Sequence, residues 1–247
     1  MSVLRLDNLC RSFGSLVVTH NVNLTIAAGE RHVVIGPNGA GKTSLINQMG
    51  GQLQPSAGRV LLDEVDITGW APERILHAGI ARTFQKNNLF FNLSVLENLR
   101  LAVQARRASG FSVLRPAAAR VDILARAREV LVQVRMDADA DRLVRNLSYG
   151  EQRQLEVGMA LAGDPTVLLL DEPTSGMSPA ETVGMIDLVR SLPSSLSIVM
   201  IEHDMNVVFS LADRITVLYY GEVLATGVPA QIQANARVRE IYLGASH

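Results

Sequence analysis

The chain has 247 residues, 48% of them apolar and 19% charged, which is enough core-forming material for one large domain or a domain carrying an inserted lobe. Its 23 Lys and Arg against 24 Asp and Glu leave a formal charge of -1 with no long run of one sign, so composition offers no basis for a nucleic-acid partner. Cys10 is the single cysteine, no signal-peptide pattern precedes "MSVLRLDNL", and the longest apolar runs fall far short of the roughly 20 residues that span a bilayer. A reducing cytoplasmic setting is expected, and a membrane, if one matters, enters through other subunits.

Residues 3–9, "VLRLDNL", and 21–26, "NVNLTI", alternate apolar and polar as strands with one buried face do, so the chain is expected to open with sheet. "RHVVIG" at 31–36 reads as a short buried strand running into a glycine-rich turn, and "KTSLINQMGGQ" continues as a helix. From about residue 90 to about 160 the character is helical, with Val121, Leu124, Ala127, Leu131 and Val134 spaced by threes and fours as one apolar stripe. "RRASGFSVLRP" at 106–116 has no clean period and reads as an exposed connection. Beyond it come "TVLLLDEP" as a buried strand, "PAETVGMIDLVRSL" as a helix, "SIVMIEHD" as a strand, "MNVVFSLAD" as a helix and "RITVLYYG" as a strand. Such alternation implies a mainly parallel sheet covered by helices.

"GPNGAGKT" at 36–43 fits G-x-x-x-x-G-K-[ST] through Gly36, Gly41, Lys42 and Thr43, and it follows a strand and opens a helix. Glycines there let backbone N–H groups close around a β-phosphate, Lys42 bridges the β- and γ-phosphates, and the Thr43 hydroxyl ligates Mg²⁺. The strand "TVLLLDE" ends in Asp171, which holds the metal through water, and in Glu172, placed to orient a hydrolytic water or accept its proton. His203 in "IEHD" is expected at the same sheet edge, where a bond to the γ-phosphate and a purely structural role are equally open. Gln85 in "ARTFQ" offers an amide oxygen to metal or water, although a lone Gln at a strand end is usually only polar surface. "LSYGEQ" at 147–152 reads as a second anion-ready helix start, with Ser148 as N-cap and Glu151 three positions on as its capping-box partner.

Taken in order, "GPNGAGKT", "FQ", "LSYGEQ", "LLLDEP" and "IEHD" resemble the motifs of the nucleotide-binding subunit of an ABC transporter, and the resemblance covers essentially the whole chain. It implies an α/β fold: a P-loop NTPase (RecA-like) core with a mainly parallel sheet, an N-terminal antiparallel β-subdomain and an inserted α-helical subdomain. The core with its β-subdomain is expected over 1–89 and 161–247, and the inserted signature subdomain over 90–160. The resemblance implies an Mg-dependent ATPase whose two subunits, identical or not, close head to tail around two ATP molecules. It makes Gln85 the glutamine that senses Mg²⁺ and the membrane subunits, Glu172 the catalytic carboxylate and His203 the switch histidine. Phe13 stands where an aromatic stacks on adenine. The phosphate cradle takes in Gly36, Asn38, Gly39, Ala40, Gly41, Lys42, Thr43 and Ser44, and the metal set is Thr43, Gln85 and Asp171. Ser148, Gly150 and Glu151 belong to the signature offered to the opposite subunit's nucleotide, and "SGMSPAE" at 175–181 stands where the D-loop lies.

Three positions depart from the family pattern: Tyr149 replaces the usual signature Gly, Ser178 the D-loop Asp common in relatives, and Met159 an Arg common after the signature. "ARTFQ", "LFFNLSVLENL", "IEHDM" and "VREIYLG" look most like the ATPases of branched-chain amino-acid importers. The implied partners are a second ATP-binding subunit, integral permease subunits and, indirectly, a solute-binding protein. "KNNLFFNLSVLENL" is apolar enough to hold a docking groove for a permease helix, unless Leu89, Phe90 and Phe91 merely pack the lobe. The implied location is the cytoplasmic face of the cell membrane, reached through the permease. Lipopolysaccharide-type exporters and soluble ATPases of iron–sulfur cluster assembly are the alternatives, and no cysteine cluster supports the latter.

Overall fold

The computed structural model describes residues 2–83, 89–107 and 117–243, with the backbone alone for residues 2, 107, 117–120, 242 and 243. The chain forms two compact units, one of Met1–Ile80, Thr166–Pro173 and Pro193–His247, the other of Ala81–Pro165 and Thr174–Leu192.

The first unit begins with β1 (Ser2–Phe13) and β2 (Leu16–Ala27), paired antiparallel. Both are longer than their sequence alternation suggests. Asn8 has φ 48° and the register shifts between Leu6 and Leu9, so a bulge moves the buried series from Leu4 and Leu6 to Leu9 and lets the strand continue. β3 (Arg31–Ile35) then leads into α1 (Lys42–Met49), followed by β4 (Ala57–Leu62), β5 (Val65–Asp66) and α2 (Pro72–Ala78). The order β2-β1-β4-β5 makes a small antiparallel sheet. β6 (Ile80–Arg82) carries the chain out of the unit.

The second unit is helical: α3 (Val95–Arg107), α4 (Ala117–Gln133), α5 (Tyr149–Leu161) and, from later in the chain, α6 (Pro179–Ser191). The stripe expected on α4 is rotated. Ile123, Ala127, Val130, Leu131 and Val134 are buried, whereas Val121 is 67% exposed. At 100° per residue Val121 lies about 120° round the helix from Ala127, outside the arc that Ile123 and Val130 share with it.

The chain re-enters the first unit through β7 (Val167–Asp171) and β8 (Ser197–Ile201), α7 (Met205–Leu211), β9 (Arg214–Tyr219) and β10 (Glu222–Gly227), then α8 (Pro229–Ala234) and α9 (Ala236–Val238). The second sheet has the order β10-β9-β3-β8-β7-β6. β3 is parallel to both β8 and β9, β7 is parallel to β8, and β10 is antiparallel to β9. All five residues of β7 and of β8 are buried, as strands covered on both faces must be. Leu45, Ile46 and Met49 of α1 join Leu4, Leu6, Leu9 and Ile26 of the small sheet and Leu169 and Val199 of the large one in one core, which fixes the start of α1 relative to β3.

Candidate nucleotide site

Three parallel strands end level with one another, because Val34 of β3 and Asp171 of β7 both pair with Ile201 of β8. The turn after β3, Glu172 after β7 and His203 after β8 therefore share one edge of the sheet, the C-terminal edge where ligands bind in open parallel folds.

The turn of residues 36–41 folds tightly: Ala40 N–H donates to Pro37 O (3.1 Å) and Gly221 N–H to Ala40 O (3.0 Å). Gly41, the N-cap of α1, has φ 98°, and a Cβ there would lie 2.2 Å from Val18 O, so only glycine fits. No side chain caps α1. Its first-turn N–H groups are thus left for an anion, which the helix dipole favours. Asn38, Gly39 and Thr43 are exposed, Ser44 is half-buried and Ala40 is buried. Lys42 is 8% exposed and its Nζ donates to Gly36 O (2.7 Å) and Pro37 O (3.1 Å). Burial pulls the Lys42 ammonium below its usual range, while Glu172 and Asp171 push back toward the charged form. An anion arriving beside Lys42 relieves this desolvation.

Replacing Gly41 by Ala is expected to cost at least about 3 kcal/mol, from the left-handed backbone and the forced shift away from Val18, and to abolish ATP binding. Gly39→Ala, at φ 79° with nothing within 4 Å of the added Cβ, is the control and should cost about 1 kcal/mol. Thermal unfolding and nucleotide titration of the two variants check this.

Asp171 is 2% exposed. Glu172 follows with φ 48°, its N–H bonded to Ile201 O at 3.0 Å. A non-glycine residue held in the left-handed region at a ligand-binding edge marks backbone strain of the kind found at functional positions. His203 Nδ1 lies 4.0 Å from Glu172 Oε1, beyond hydrogen-bond range, and the His203 side chain is 57% exposed. The buried Glu202 accepts the His203 N–H at 3.1 Å and Asp204 caps α7, so the segment that presents His203 is held on both sides. Phe13 is 49% exposed at the β1–β2 hairpin, with the Arg11 guanidinium 4.4 Å over its ring, so it is no part of the core. Gln85 lies outside the described residues, as does most of the 106–116 connection. Among the described residues no group of three or more His, Cys, Asp or Glu could hold a metal ion by itself, and no helix is long and apolar enough to cross a membrane.

The second unit carries the other anion-ready helix start. Ser148 is the N-cap of α5: its Oγ accepts Glu151 N–H (3.3 Å) and the Glu151 carboxylate accepts Ser148 N–H (2.6 Å). Arg142 grips both Glu151 oxygens, at 2.8 and 3.1 Å, and this pairing holds the Glu151 carboxyl below the usual range. Tyr149 is the first helical residue and is not among those with positive φ, so the absent glycine leaves no strain. Ser178 is the N-cap of α6, boxed with Glu181, a role that serine fills as well as aspartate does. Met159 is half-buried on α5.

Two contributors escape the sequence reading. Asn98, fully buried, binds Phe90 N–H (2.8 Å), Phe90 O (3.1 Å) and Ser94 O (2.9 Å), while Phe90 and Phe91 remain 53% and 41% exposed and Leu89 is buried. Glu181 is the other. The pattern S-x-x-E at 178–181 signals its cap on α6, but nothing local signals its reach to Ser148 Oγ (3.0 Å) and Gly150 N–H (2.9 Å).

A strand, glycine-rich turn and helix carrying Lys42, with two acidic residues at the end of β7, the parallel strand on the far side of β8, define a P-loop nucleotide-binding core. Residues 19–175 match the family model described as ABC transporter, and residues 222–247 the one described as branched-chain amino acid ATP-binding cassette transporter. The chain is 37% identical over 249 residues, 98% of each chain, to the high-affinity branched-chain amino acid transport ATP-binding protein LivG of Escherichia coli. Among solved structures it is similar to the ADP conformation of an ATP-binding cassette of an ABC transporter, at TM-score 0.87 and 28% identity over 99% of both chains. It is also similar to a dimeric cassette in a post-hydrolysis state bound to ADP and Pi, at TM-score 0.75 and 26% identity over 91% of this chain and 98% of that one. The chain belongs to the ATP-binding cassette family of ABC transporters, among the branched-chain amino acid transport ATP-binding proteins.

Proposed function

We propose that this chain hydrolyses ATP at two composite sites formed with a second ATP-binding subunit, and that the cycle drives import of branched-chain amino acids through a permease. The observation that carries the reading is the level ending of β3, β7 and β8, which gathers Lys42, Asp171, Glu172 and His203 at one sheet edge beside an uncapped helix start.

In this reading Gly36, Asn38, Gly39, Ala40, Gly41, Lys42, Thr43 and Ser44 cradle the phosphates, with Lys42 exchanging Gly36 O and Pro37 O for phosphate oxygens, and Phe13 stacks on adenine. Glu172 orients a water whose oxygen bonds to the γ-phosphorus as the bond to the β–γ bridging oxygen breaks; its proton passes to the Glu172 carboxylate, and ADP and phosphate leave. His203 donates to the γ-phosphate. The oxygen donors suit Mg²⁺, which takes one or two carboxylates, a hydroxyl and water: Thr43 directly, Asp171 through water, and Gln85 by its amide oxygen. Bound there, the ion neutralises charge on the phosphates. Ser148 and Gly150, with Glu151 bracing them, face the partner subunit's ATP.

The exposed Phe90 and Phe91, with the Phe90 backbone clamped by Asn98, suit a permease helix that docks an apolar face, which holds the subunit at the cytoplasmic surface of the membrane. The kinship of residues 222–247 supports the amino-acid solute. Purification of the tagged chain from its native membranes should bring down permease subunits. The reconstituted complex with its solute-binding protein should raise phosphate release when leucine, isoleucine or valine is added. Stimulation by urea or an aromatic acid alone would overturn the solute, and recovery of soluble partners alone would overturn transport.

A further inference from the structure

The two helix starts of the proposed composite site differ in one respect. The start of α1 has no side-chain cap, whereas the start of α5 already holds a carboxylate besides its own capping box. Glu181 Oε1 accepts from Ser148 Oγ (3.0 Å) and Gly150 N–H (2.9 Å), and Oε2 accepts from Ser178 N–H (3.0 Å) and Ser178 Oγ (2.8 Å). One carboxylate thus ties the start of α5 to the start of α6. The four groups that bind it are neutral donors, and they hold the Glu181 carboxyl down at about 2, the Ser178 backbone bond contributing most. Gly150 permits the approach, since a Cβ there would lie 2.7 Å from the Glu181 side chain.

The donors under Oε1 are the ones that a partner subunit's γ-phosphate would use. Two anions cannot share one Ser hydroxyl and one N–H, and a carboxylate left in place also repels the phosphate. We propose that Glu181 is a positioning residue of the composite site: its carboxylate stands in for phosphate at the start of α5 in the open chain and must release Ser148 and Gly150 for the dimer to close. This rests on the reading of Ser148 and Gly150 as the face offered to the partner's ATP. On release, Oε2 keeps its bonds to Ser178, so the cap of α6 survives while α5 and the D-loop segment at 175–181 are uncoupled. Closure of one composite site is thereby reported to the D-loop of the same chain.

The test uses the full-length chain carrying Glu172→Gln, which stalls hydrolysis, and measures by sedimentation the ATP concentration at half-maximal dimerisation. Glu181→Gln keeps an oxygen for the cap of α6 but loses the charge, and Glu181→Asp keeps the charge but is one methylene too short to reach α5. Both are expected to lower that concentration about five-fold, as loss of a charged hydrogen bond at a solvated site implies, with ATP binding by the dilute monomer unchanged and the melting temperature close to that of the parent. A purely structural role for Glu181 would lower the melting temperature and leave the midpoint where it was. An unchanged or raised midpoint in both variants overturns the proposal while leaving the composite site intact. A parent that does not dimerise at any ATP concentration overturns the composite site, and the role of Glu181 with it.

Discussion

Glu172→Gln is expected to cut phosphate release by at least about 10²-fold while leaving ATP affinity within a few-fold of the parent, the range that loss of a positioned general base produces. Gln preserves the shape of the side chain and tolerates φ 48° no worse than Glu does, so the backbone bond from residue 172 to Ile201 O should survive and the fold with it. The substitution removes a proton acceptor and one negative charge beside Lys42, and both changes favour a bound but unreacted ATP. With hydrolysis stalled, the closed pair accumulates, because the γ-phosphate that joins the two subunits is never removed. Sedimentation with and without ATP, together with a phosphate-release assay, reads both effects. A variant that turns over normally and stays monomeric would remove Glu172 from the catalytic role. Asp171→Asn gives the contrast, since loss of the buried carboxylate that suits Mg²⁺ should weaken nucleotide binding itself.

What was legible in the sequence was local. The phosphate loop could be read because its chemistry is carried by eight consecutive residues, with Gly41 required by its own φ and by its closeness to Val18. Asp171 could be read because five consecutive buried residues end on it. Where two segments of chain meet, reading along the sequence failed. Val121 fits the spacing of the α4 stripe yet lies on the outer side, because three of the other four members, Ala127, Leu131 and Val134, are shared by two overlapping arcs and only packing decides between them. The bulge at Asn8 hides the continuation of β1 for a related reason: one inserted residue reverses the alternation. Glu181 shows both sides. Its cap on α6 is a four-residue pattern, whereas its bonds to Ser148 and Gly150 span 33 and 31 positions and have no sequence signal. The departures at Tyr149 and Ser178 are mismatches to a family pattern in sequence, and in the fold one is an ordinary first helical residue and the other a working N-cap.

In a chain that also carries Glu172→Gln, the background for all the variants below, Ser148→Arg is expected to abolish ATP-dependent dimerisation while leaving ATP binding by the isolated chain intact. Ser148 is exposed, so the new side chain projects where the partner's nucleotide is proposed to arrive. Loss of the cap costs about 1 kcal/mol, too little to unfold a domain of this size. Arg could instead attract phosphate or pair with Glu181, so bulk and charge have to be separated: Ser148→Ala, which only removes hydrogen bonds, should weaken dimerisation by about ten-fold without abolishing it. The decisive measurement mixes two defective chains. Lys42→Ala cannot hold ATP but offers an intact Ser148, and Ser148→Arg holds ATP but offers no usable α5 start. If Ser148 serves the opposite nucleotide, the mixed pair contains one complete composite site, and ATP-dependent association returns on mixing. If Ser148 served the ATP of its own chain, neither protein would contain a working site and mixing would restore nothing. A chain altered at both Lys42 and Ser148 gives the opposite arrangement: paired with a chain intact at both positions, each composite site lacks one half, so that mixed pair should not form and only self-association of the intact chain remains.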